Sequence, residues 1–436
     1  MPNGLGTAMS GTPSRLILPV LVCAQLFGTS LWFSSSAALP SLIRDWRLSQ
    51  ADGGLLISAV QVGFILGTLL FALTNLADVL PASKIFLTSA VVGASVNVLF
   101  AYSASQLSEA LVFRFITGLA LAGIYPVGMK VVVSWAPGGI GNALGWLIGA
   151  LTLGTALPFL LASGGTDWPW QTVIMFSSLL AVISGVMVAW IGEGPNLIGA
   201  RKIDLRIILR VFRYRGYRRA AFGYFGHMWE LYTFWVITPL LVASALTPLG
   251  LDRPRWVALG AFAVIGIGAL GCIGGGLLSG RVGSRMVASV SLAVSGAFCL
   301  AAPLLLKVHP VLFLAGLLGW GVFVVSDSAQ FSALAATACP QQYVGTGLTL
   351  MNSIGFAITI ASIEWVTRLY ALWGPHVVWL LAPGPLLGLI LLNWAPGRDG
   401  VLEVEPEPDG PTIENLIAHP LHDFSAPERS GGPSLF

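Results

Sequence analysis

Four residues that can carry a charge or a proton lie inside long apolar stretches of this 436-residue chain. They are Arg114, His227, Glu230 and Asp327. A charged side chain inside a membrane span is costly and normally faces a partner or a water-filled cavity. Carboxylates and histidine can bind and release protons, and a guanidinium attracts anions. These residue types predict a solute pathway through a membrane, with proton exchange along it.

His227 and Glu230 are three residues apart and therefore share a helix face. Glu230 lies near the middle of its stretch, where desolvation favours a protonated carboxyl group, so we expect it to load and release a proton together with Asp327. His227 either shares that proton or is a structural hydrogen-bond donor, and Asp327 either lines the cavity or caps and gates a helix. Arg114 either sets the charge preference of the site or pairs with Glu109.

A second set of polar and aromatic residues is expected to line the cavity. The set comprises Gln25, Trp32, Gln61, Tyr125, Tyr224, Gln330 and Asn352. Gln25, Gly28, Trp32 and Ser35 are spaced to form one stripe along a helix. The aromatic rings of the set, together with Phe331, could hold an organic solute as well as Arg114 could hold a small anion. The substrate therefore stays open at this point.

Composition places the whole chain in a membrane. The sequence is 56% hydrophobic and 9% charged, with a mean hydropathy of +0.83, whereas soluble domains carry roughly 25% charged residues. A helix needs about 20 apolar residues to cross the hydrocarbon core. Twelve such runs are predicted, approximately at 16–38, 54–76, 85–102, 107–128, 140–162, 172–191, 221–245, 257–279, 287–306, 311–331, 345–366 and 370–394.

A strongly basic segment at 201–219 separates two similar sets of six runs. It holds eight of the 22 basic residues of the chain. Basic loops stay in the cytoplasm, so both termini are predicted to lie in the cytoplasm. The protein itself is predicted to lie in the cell membrane. The segment is either an amphipathic helix on anionic headgroups or a solvated connector. We expect an N-terminal half at 1–191, a basic cytoplasmic loop at 192–220, a C-terminal half at 221–394 and a disordered acidic tail at 395–436.

Three short motifs resemble those of a known family. The loop after the second span reads LADVLPASK at 76–84, and the loop after the eighth reads GLLSGRVGSR at 276–285. Both are similar to the signature loop G-x-L-A-D-R-x-G-R-[KR]-[KR] of the major facilitator superfamily. The first copy has lost its glycines and arginine, and the second has Gly280 where the acid belongs. In the fourth span, RFITG at 114–118 is close to the family's R-x-x-Q-G.

The resemblance implies an all-α membrane fold of twelve transmembrane helices, in two six-helix halves with pseudo-two-fold symmetry. In that family spans 1, 4, 7 and 10 line the central cavity. The four ionisable residues that would be costly to bury in a membrane fall on spans 4, 7 and 10 of this chain. The signature loops imply conformational gating by a further group of charged residues. These are Asp78, Lys84, Arg281 and Arg285.

We therefore expect a secondary transporter of a small solute that works by alternating access and is coupled to protons. A drug or metabolite efflux permease and a uniporter are alternatives, and a channel or a polytopic membrane enzyme is remote. No enzyme, nucleotide-binding or metal motif is found, and the four cysteines are scattered. The expected partners are a small-molecule substrate, a proton or another ion and the lipid bilayer. No cofactor, metal or nucleic acid is expected, and the protein is expected to be a monomer.

Overall fold

The computed structural model describes residues 16–74, 76–135, 140–164, 168–196, 208–340 and 343–394, and all regular secondary structure in those ranges is helical. The helices are α1 (Ile17–Thr29), α2 (Ser34–Trp46), α3 (Gln50–Thr74), α4 (Leu76–Val79), α5 (Ala82–Ser103), α6 (Leu107–Ala122), α7 (Tyr125–Trp135), α8 (Ile140–Ser163), α9 (Trp170–Ile191), α10 (Ile208–Val211), α11 (Arg215–Leu246), α12 (Pro254–Gly266), α13 (Gly268–Val282), α14 (Ser284–Val308), α15 (Pro310–Phe323), α16 (Ser328–Thr337), α17 (Val344–Trp373) and α18 (Pro383–Trp394). Two 3₁₀ segments, Thr247–Leu249 and Gly374–Leu380, precede α12 and α18. The basic residues at 201–207 and the acidic tail lie outside the described residues.

The described ranges contain eleven apolar runs long enough to cross a membrane, and the last of these, Val344–Trp394, is 51 residues long. One crossing takes about 20 residues, so this run is long enough for two. Within it, α17 runs parallel to α11. Tyr217 at the start of α11 donates to the Gly347 carbonyl over 2.8 Å, and Ser244 near its end lies 3.2 Å from the Tyr370 hydroxyl.

The chain reverses direction at Gly374, which has a φ of +52°. Beyond it, the Trp229 indole in α11 donates to the Leu380 carbonyl over 2.9 Å. A Cβ placed on Gly388 would lie 3.1 Å from the Gly223 carbonyl oxygen, so residue numbers fall along α11 as they rise along α18. Residues 374–394 are therefore a separate crossing, and the predicted twelve-span, all-α fold is confirmed within the described ranges.

Four of the spans are broken near their middle rather than continuous. In the first span α1 and α2 are separated by residues 30–33, and in the tenth α15 and α16 are separated by residues 324–327. The fourth span breaks between α6 and α7, and the eighth at Ile267. A break leaves backbone groups without helical partners, which buried side chains must then satisfy.

Two ends of the bundle can be told apart by α11, and we name them the Arg215 end and the Leu246 end. Helices α3 and α17 meet in antiparallel orientation toward the Leu246 end, where Ser58 donates to Glu364 over 2.7 Å. Nearer the centre, the rings of Phe64 and Phe356 are 4.6 Å apart. Helix α8 packs against α12 and α13 on another side. These contacts join residues before the basic segment to residues after it and enclose a central cavity.

Candidate functional site

A buried cavity of about 80 Å³ lies in the middle of the bundle. Helices α7, α8, α11, α16 and α17 form its walls, together with Val325 between α15 and α16. Four residues predicted from the sequence are found in this lining: Tyr125, Tyr224, His227 and Asn352. The cavity thus brings together residues that are more than 200 positions apart in the chain.

The sequence analysis missed several other lining residues. These are Tyr232, Trp235, Ser328 and Phe356. A signal for Trp235 was present, because Tyr224, His227 and Trp235 are spaced three and eight residues apart along a single helix and all face the cavity. Phe356 lies four residues after Asn352 on α17 and therefore on the same helix face, so the predicted Asn352 was a signal for it.

His227 connects the cavity to the carboxylate of Asp327. Its Nδ1 lies 2.9 Å from Asp327 Oδ1, and its Nε2 lies 2.9 Å from the hydroxyl oxygen of Ser328, which itself lines the cavity. Both His227 and Asp327 are buried. Asp327 sits where the tenth span is broken, directly before α16, so the break lets a carboxylate face a side chain of α11. The imidazole thus lies between the carboxylate and the hydroxyl that lines the cavity, although its contact with Asp327 Oδ1 is close without having hydrogen-bond geometry.

Glu230 has different surroundings although it is one helical turn from His227. Its carboxylate accepts hydrogen bonds from the Trp320 indole over 2.6 Å and from the Ser295 hydroxyl over 2.9 Å, and Cys299 lies 3.3 Å away. All three partners are on α14 and α15. Glu230 is not among the residues that line the cavity. The contacts of this carboxylate join three helices of the C-terminal part of the bundle.

Arg114 lies at the break in the first span and is fully buried. One terminal nitrogen, Nη2, donates to the carbonyl oxygens of Leu31 and Trp32 over 3.1 and 2.6 Å. The other, Nη1, donates to Asn97 over 2.9 Å and to Ser34 over 3.3 Å. The guanidinium therefore satisfies backbone groups that the helix break leaves open, and it does not line the cavity.

Glu109, the alternative partner considered for Arg114, is bound elsewhere. Its carboxylate accepts hydrogen bonds from Ser105 and Gln106 at the start of α6. Glu109 and Arg114 are therefore not a pair in this structure.

The three predicted glutamines are buried without lining the cavity. Gln25, Gln61 and Gln330 are between 0 and 3% exposed. Neither amide atom of Gln25 or Gln61 has a hydrogen-bond partner among the described residues.

Trp32 belongs to a group of packed rings that we name the aromatic cluster. The cluster consists of Trp32, Phe64, Tyr232, Trp235 and Phe356. Ring centroids within it are 4.8 Å apart for Trp32 and Phe64, and 5.1 Å apart for Tyr232 and Trp235. The cluster joins spans 1, 2, 7 and 11 beside the cavity.

The predicted gating residues are spread over the Arg215 end. Lys84 and Arg281 are exposed, and Arg285 donates to the Leu392 carbonyl over 2.9 Å at the end of α18. The side chain of Asp78 lies outside the described residues. Within those residues, no three His, Cys, Asp or Glu side chains are grouped as a metal site.

Comparison with known proteins gives a consistent result. Residues 21–363 match the sequence model of the Major Facilitator Superfamily. The chain is similar to the niacin transporter NiaP of Acinetobacter baylyi, with 27% identity over 177 residues, which is 38% of each of the two chains. It is also similar to a gallate transporter of Pseudomonas putida, with 25% identity over 353 residues, covering 72% of this chain and 76% of the relative. A match to the uncharacterized transporter YgaY of Escherichia coli O157:H7 covers 52% of this chain at 24% identity.

Proposed function

The chain belongs to the major facilitator superfamily and is a multi-pass membrane transporter of small solutes, and from this we propose that it is a proton-coupled secondary transporter that works by alternating access. The observation that carries the proposal is the contact of His227 with Asp327 at the wall of the central cavity. A transporter needs a protonatable group that meets the solute pathway, and His227 is a titratable group there with a carboxylate behind it.

In the proposed cycle, a proton enters from one side of the membrane and is held by His227 and Asp327. Ser328 is the second partner of the imidazole and faces the cavity. A solute that contacts Ser328 or the ring would change how firmly the proton is held. Proton and solute binding are coupled in this way because they use the same side chain.

The two halves of the proposed mechanism are residues 1–191 and 221–394, which rock about the cavity while the basic segment at 192–220 connects them. Both halves lie in one chain, so a monomer suffices. We propose that the basic segment and both termini face the cytoplasm of the cell membrane. Niacin and gallate, which appear in the names of two relatives, are the first solutes to assay.

The test uses Asp327→Asn in proteoliposomes, with uptake measured under an imposed pH gradient and counterflow measured without one. We expect Asp327→Asn to lose accumulation and retain counterflow, because an amide cannot exchange the proton while the cavity stays intact. Asp45→Asn is the matched control, since Asp45 is a surface acid paired with Arg44. Accumulation by Asp327→Asn at the wild-type rate would contradict the proposed role.

Glu230→Gln tests which of the two buried carboxylates, Glu230 or Asp327, couples transport to protons. Because Glu230 is bound by three side chains away from the cavity, we expect this variant to unfold at a lower temperature while it still accumulates solute. Loss of accumulation with retained counterflow would instead make Glu230 the coupling carboxylate. If the wild-type protein exchanges solute without moving protons, it is a uniporter.

A further inference from the structure

We propose that a groove on the lipid-facing side of the bundle binds one phospholipid, whose phosphate is held by Arg368 and whose acyl chain lies against α3, α6 and α17. The groove has a volume of about 530 Å³ and shares no described lining residue with the central cavity. Most of its described lining residues are apolar, and the polar ones are Ser58, Glu364 and Arg368.

The groove lies in the half of the bundle toward the Leu246 end. Leu55 and Val62 are five and twelve residues from the start of α3, and Arg368 and Ile360 are five and thirteen residues from the end of α17. At 1.5 Å per residue, the groove therefore extends from roughly 7 Å to roughly 20 Å below these helix ends. Half of a hydrocarbon core is about 15 Å thick, so the groove crosses most of one leaflet.

The chemistry of the groove wall changes with depth in the same order as the chemistry of a phospholipid. Arg368 is charged, lies near the membrane surface and has 64% of its side chain exposed. Val62 and Ile360 lie deepest and are apolar, the first exposed and the second half-buried. A phospholipid likewise has its charged headgroup at the surface and its acyl chains in the hydrocarbon core beneath.

The Arg368 guanidinium has donors left for a phosphate. Its Nη2 donates to Glu364 Oε2 over 3.2 Å, whereas a guanidinium offers five N–H donors in total. An exposed pair of this kind contributes little energy, so it does not prevent a second acceptor from binding. The planar fork of arginine fits two phosphate oxygens at once. A phosphate at headgroup depth therefore complements the charged end of the groove.

The groove is formed by both halves of the bundle. Ser58 on α3 donates to Glu364 Oε1 over 2.7 Å, and the other carboxylate oxygen of Glu364 contacts Arg368. A lipid bound to Arg368 would contact α17 of the C-terminal half together with α3 and α6 of the N-terminal half. Because this groove exists only while the halves meet at the Leu246 end, the bound lipid should stabilise that closed conformation.

The experiment measures lipid binding to the purified full-length protein by native mass spectrometry, after delipidation in detergent and titration with dioleoylphosphatidylethanolamine. This lipid has no net charge, so the basic residues at the Arg215 end attract it less than they attract an anionic lipid. Dioleoylglycerol has the same chains without the phosphate, and we expect it to bind about tenfold more weakly or worse. Equal affinities for the two lipids would overturn the proposal.

Arg368→Gln removes the charge and keeps a polar side chain. We expect the affinity for the first phosphatidylethanolamine to fall about tenfold or more, as for loss of hydrogen bonds to a charged group. Arg44→Gln is the matched control, because Arg44 is also an exposed arginine paired with an acid toward the Leu246 end, and it does not line the groove. Unchanged affinity in Arg368→Gln, or an equal loss in Arg44→Gln, contradicts the proposal.

Ala59→Phe tests the acyl-chain part of the site, because Ala59 lines the groove and a larger side chain would fill it. Ala361→Phe is the control, since Ala361 is exposed on α17 outside the groove lining. Added phosphatidylethanolamine should raise the unfolding temperature of wild type and Ala361→Phe more than that of Ala59→Phe. A wild-type dimer that Ala59→Phe does not form would assign the groove to a second copy of the chain and overturn the proposal. These measurements need no gradient, so their outcome is independent of proton coupling.

Discussion

At the scale of single side chains, the four ionisable residues that are buried in the membrane spans make different kinds of contact. His227 and Asp327 form a pair at the cavity wall. Glu230 collects three hydrogen bonds between helices, and Arg114 binds the carbonyls at the break in the first span. The cost of burial identified which residues need partners, but not whether the partner is a solute, a proton or the backbone.

Arg114→Ala should lower the thermal stability of the protein. Removing the guanidinium leaves the Trp32 carbonyl without its donor, whereas the Leu31 carbonyl and the Asn97 amide oxygen must share the Ser34 hydroxyl. A buried acceptor left unsatisfied costs about 1–3 kcal/mol, so we expect a loss of at least that size, measured by thermal unfolding in nanodiscs. Arg114→Lys keeps the positive charge but cannot donate through two terminal nitrogens at once. Its thermal stability should therefore lie between those of the wild type and Arg114→Ala.

The Arg114→Ala variant also distinguishes a structural role of Arg114 from a role in substrate binding. A variant with wild-type stability and weakened anion binding would restore the substrate role that the sequence predicted. Loss of stability with binding preserved in the folded fraction supports the structural role.

At the scale of the helices, close contact between α3 and α6 depends on glycine on both sides. A Cβ on Gly118 would overlap the carbonyl oxygen of Val60, and a Cβ on Gly63 would overlap the carbonyl oxygen of Phe115. Small residues let membrane helices approach until their backbones touch. Gly118 is the last residue of the RFITG motif, so one motif supplies both the arginine that binds the first span and the glycine that packs on the second.

Gly118→Ala should therefore destabilise the protein by about 1–3 kcal/mol, the usual cost of overpacking a tight contact. Gly274→Ala is the matched control, because Gly274 is also within a helix and a Cβ there would meet nothing within 4 Å. Since alanine is the better helix former, Gly274→Ala should be neutral or slightly stabilising. Equal unfolding temperatures for the two variants would show that the α3–α6 contact relaxes easily.

At the scale of the whole molecule, the bundle has two distinct ends, one at each face of the membrane. Contacts between its N-terminal and C-terminal halves are found near one of these ends. A 32-residue helix such as α11 is about 48 Å long at 1.5 Å per residue, so its two ends reach opposite faces of the membrane. Ile43 and Gln50 line the same surface pocket as Ala243 and Asp252, which places the loop after α2 at the Leu246 end. The bond between Ser58 and Glu364 also lies toward this end and must break if the halves separate there.

Labelling in intact cells tests the orientation. We expect Thr247→Cys and Arg44→Cys to react with a membrane-impermeant thiol reagent, and Arg213→Cys to be protected until the cells are opened. All three positions are exposed in the structure. The background should carry Cys23→Ser, because Cys23 is exposed. Reaction of Arg213→Cys from outside would reverse the proposed topology.

The sequence by itself determined the membrane class, the number of crossings and the spans that carry polar residues. Apolar runs of about 20 residues and the cost of burying charge are properties of local sequence, so no tertiary contact was needed to find them. The sequence also located Tyr125, Tyr224, His227 and Asn352, which line the cavity.

Only the tertiary structure decided what each buried side chain touches. The separation of His227 from Glu230 and the binding of Arg114 to a broken helix both depend on which helices are neighbours. Every membrane span is apolar on most of its surface, so hydrophobic periodicity does not distinguish a lipid-facing side from a side packed on protein. The contacts are set by the close fit of glycines and rings between helices, and such a fit exists only once the helices have assembled.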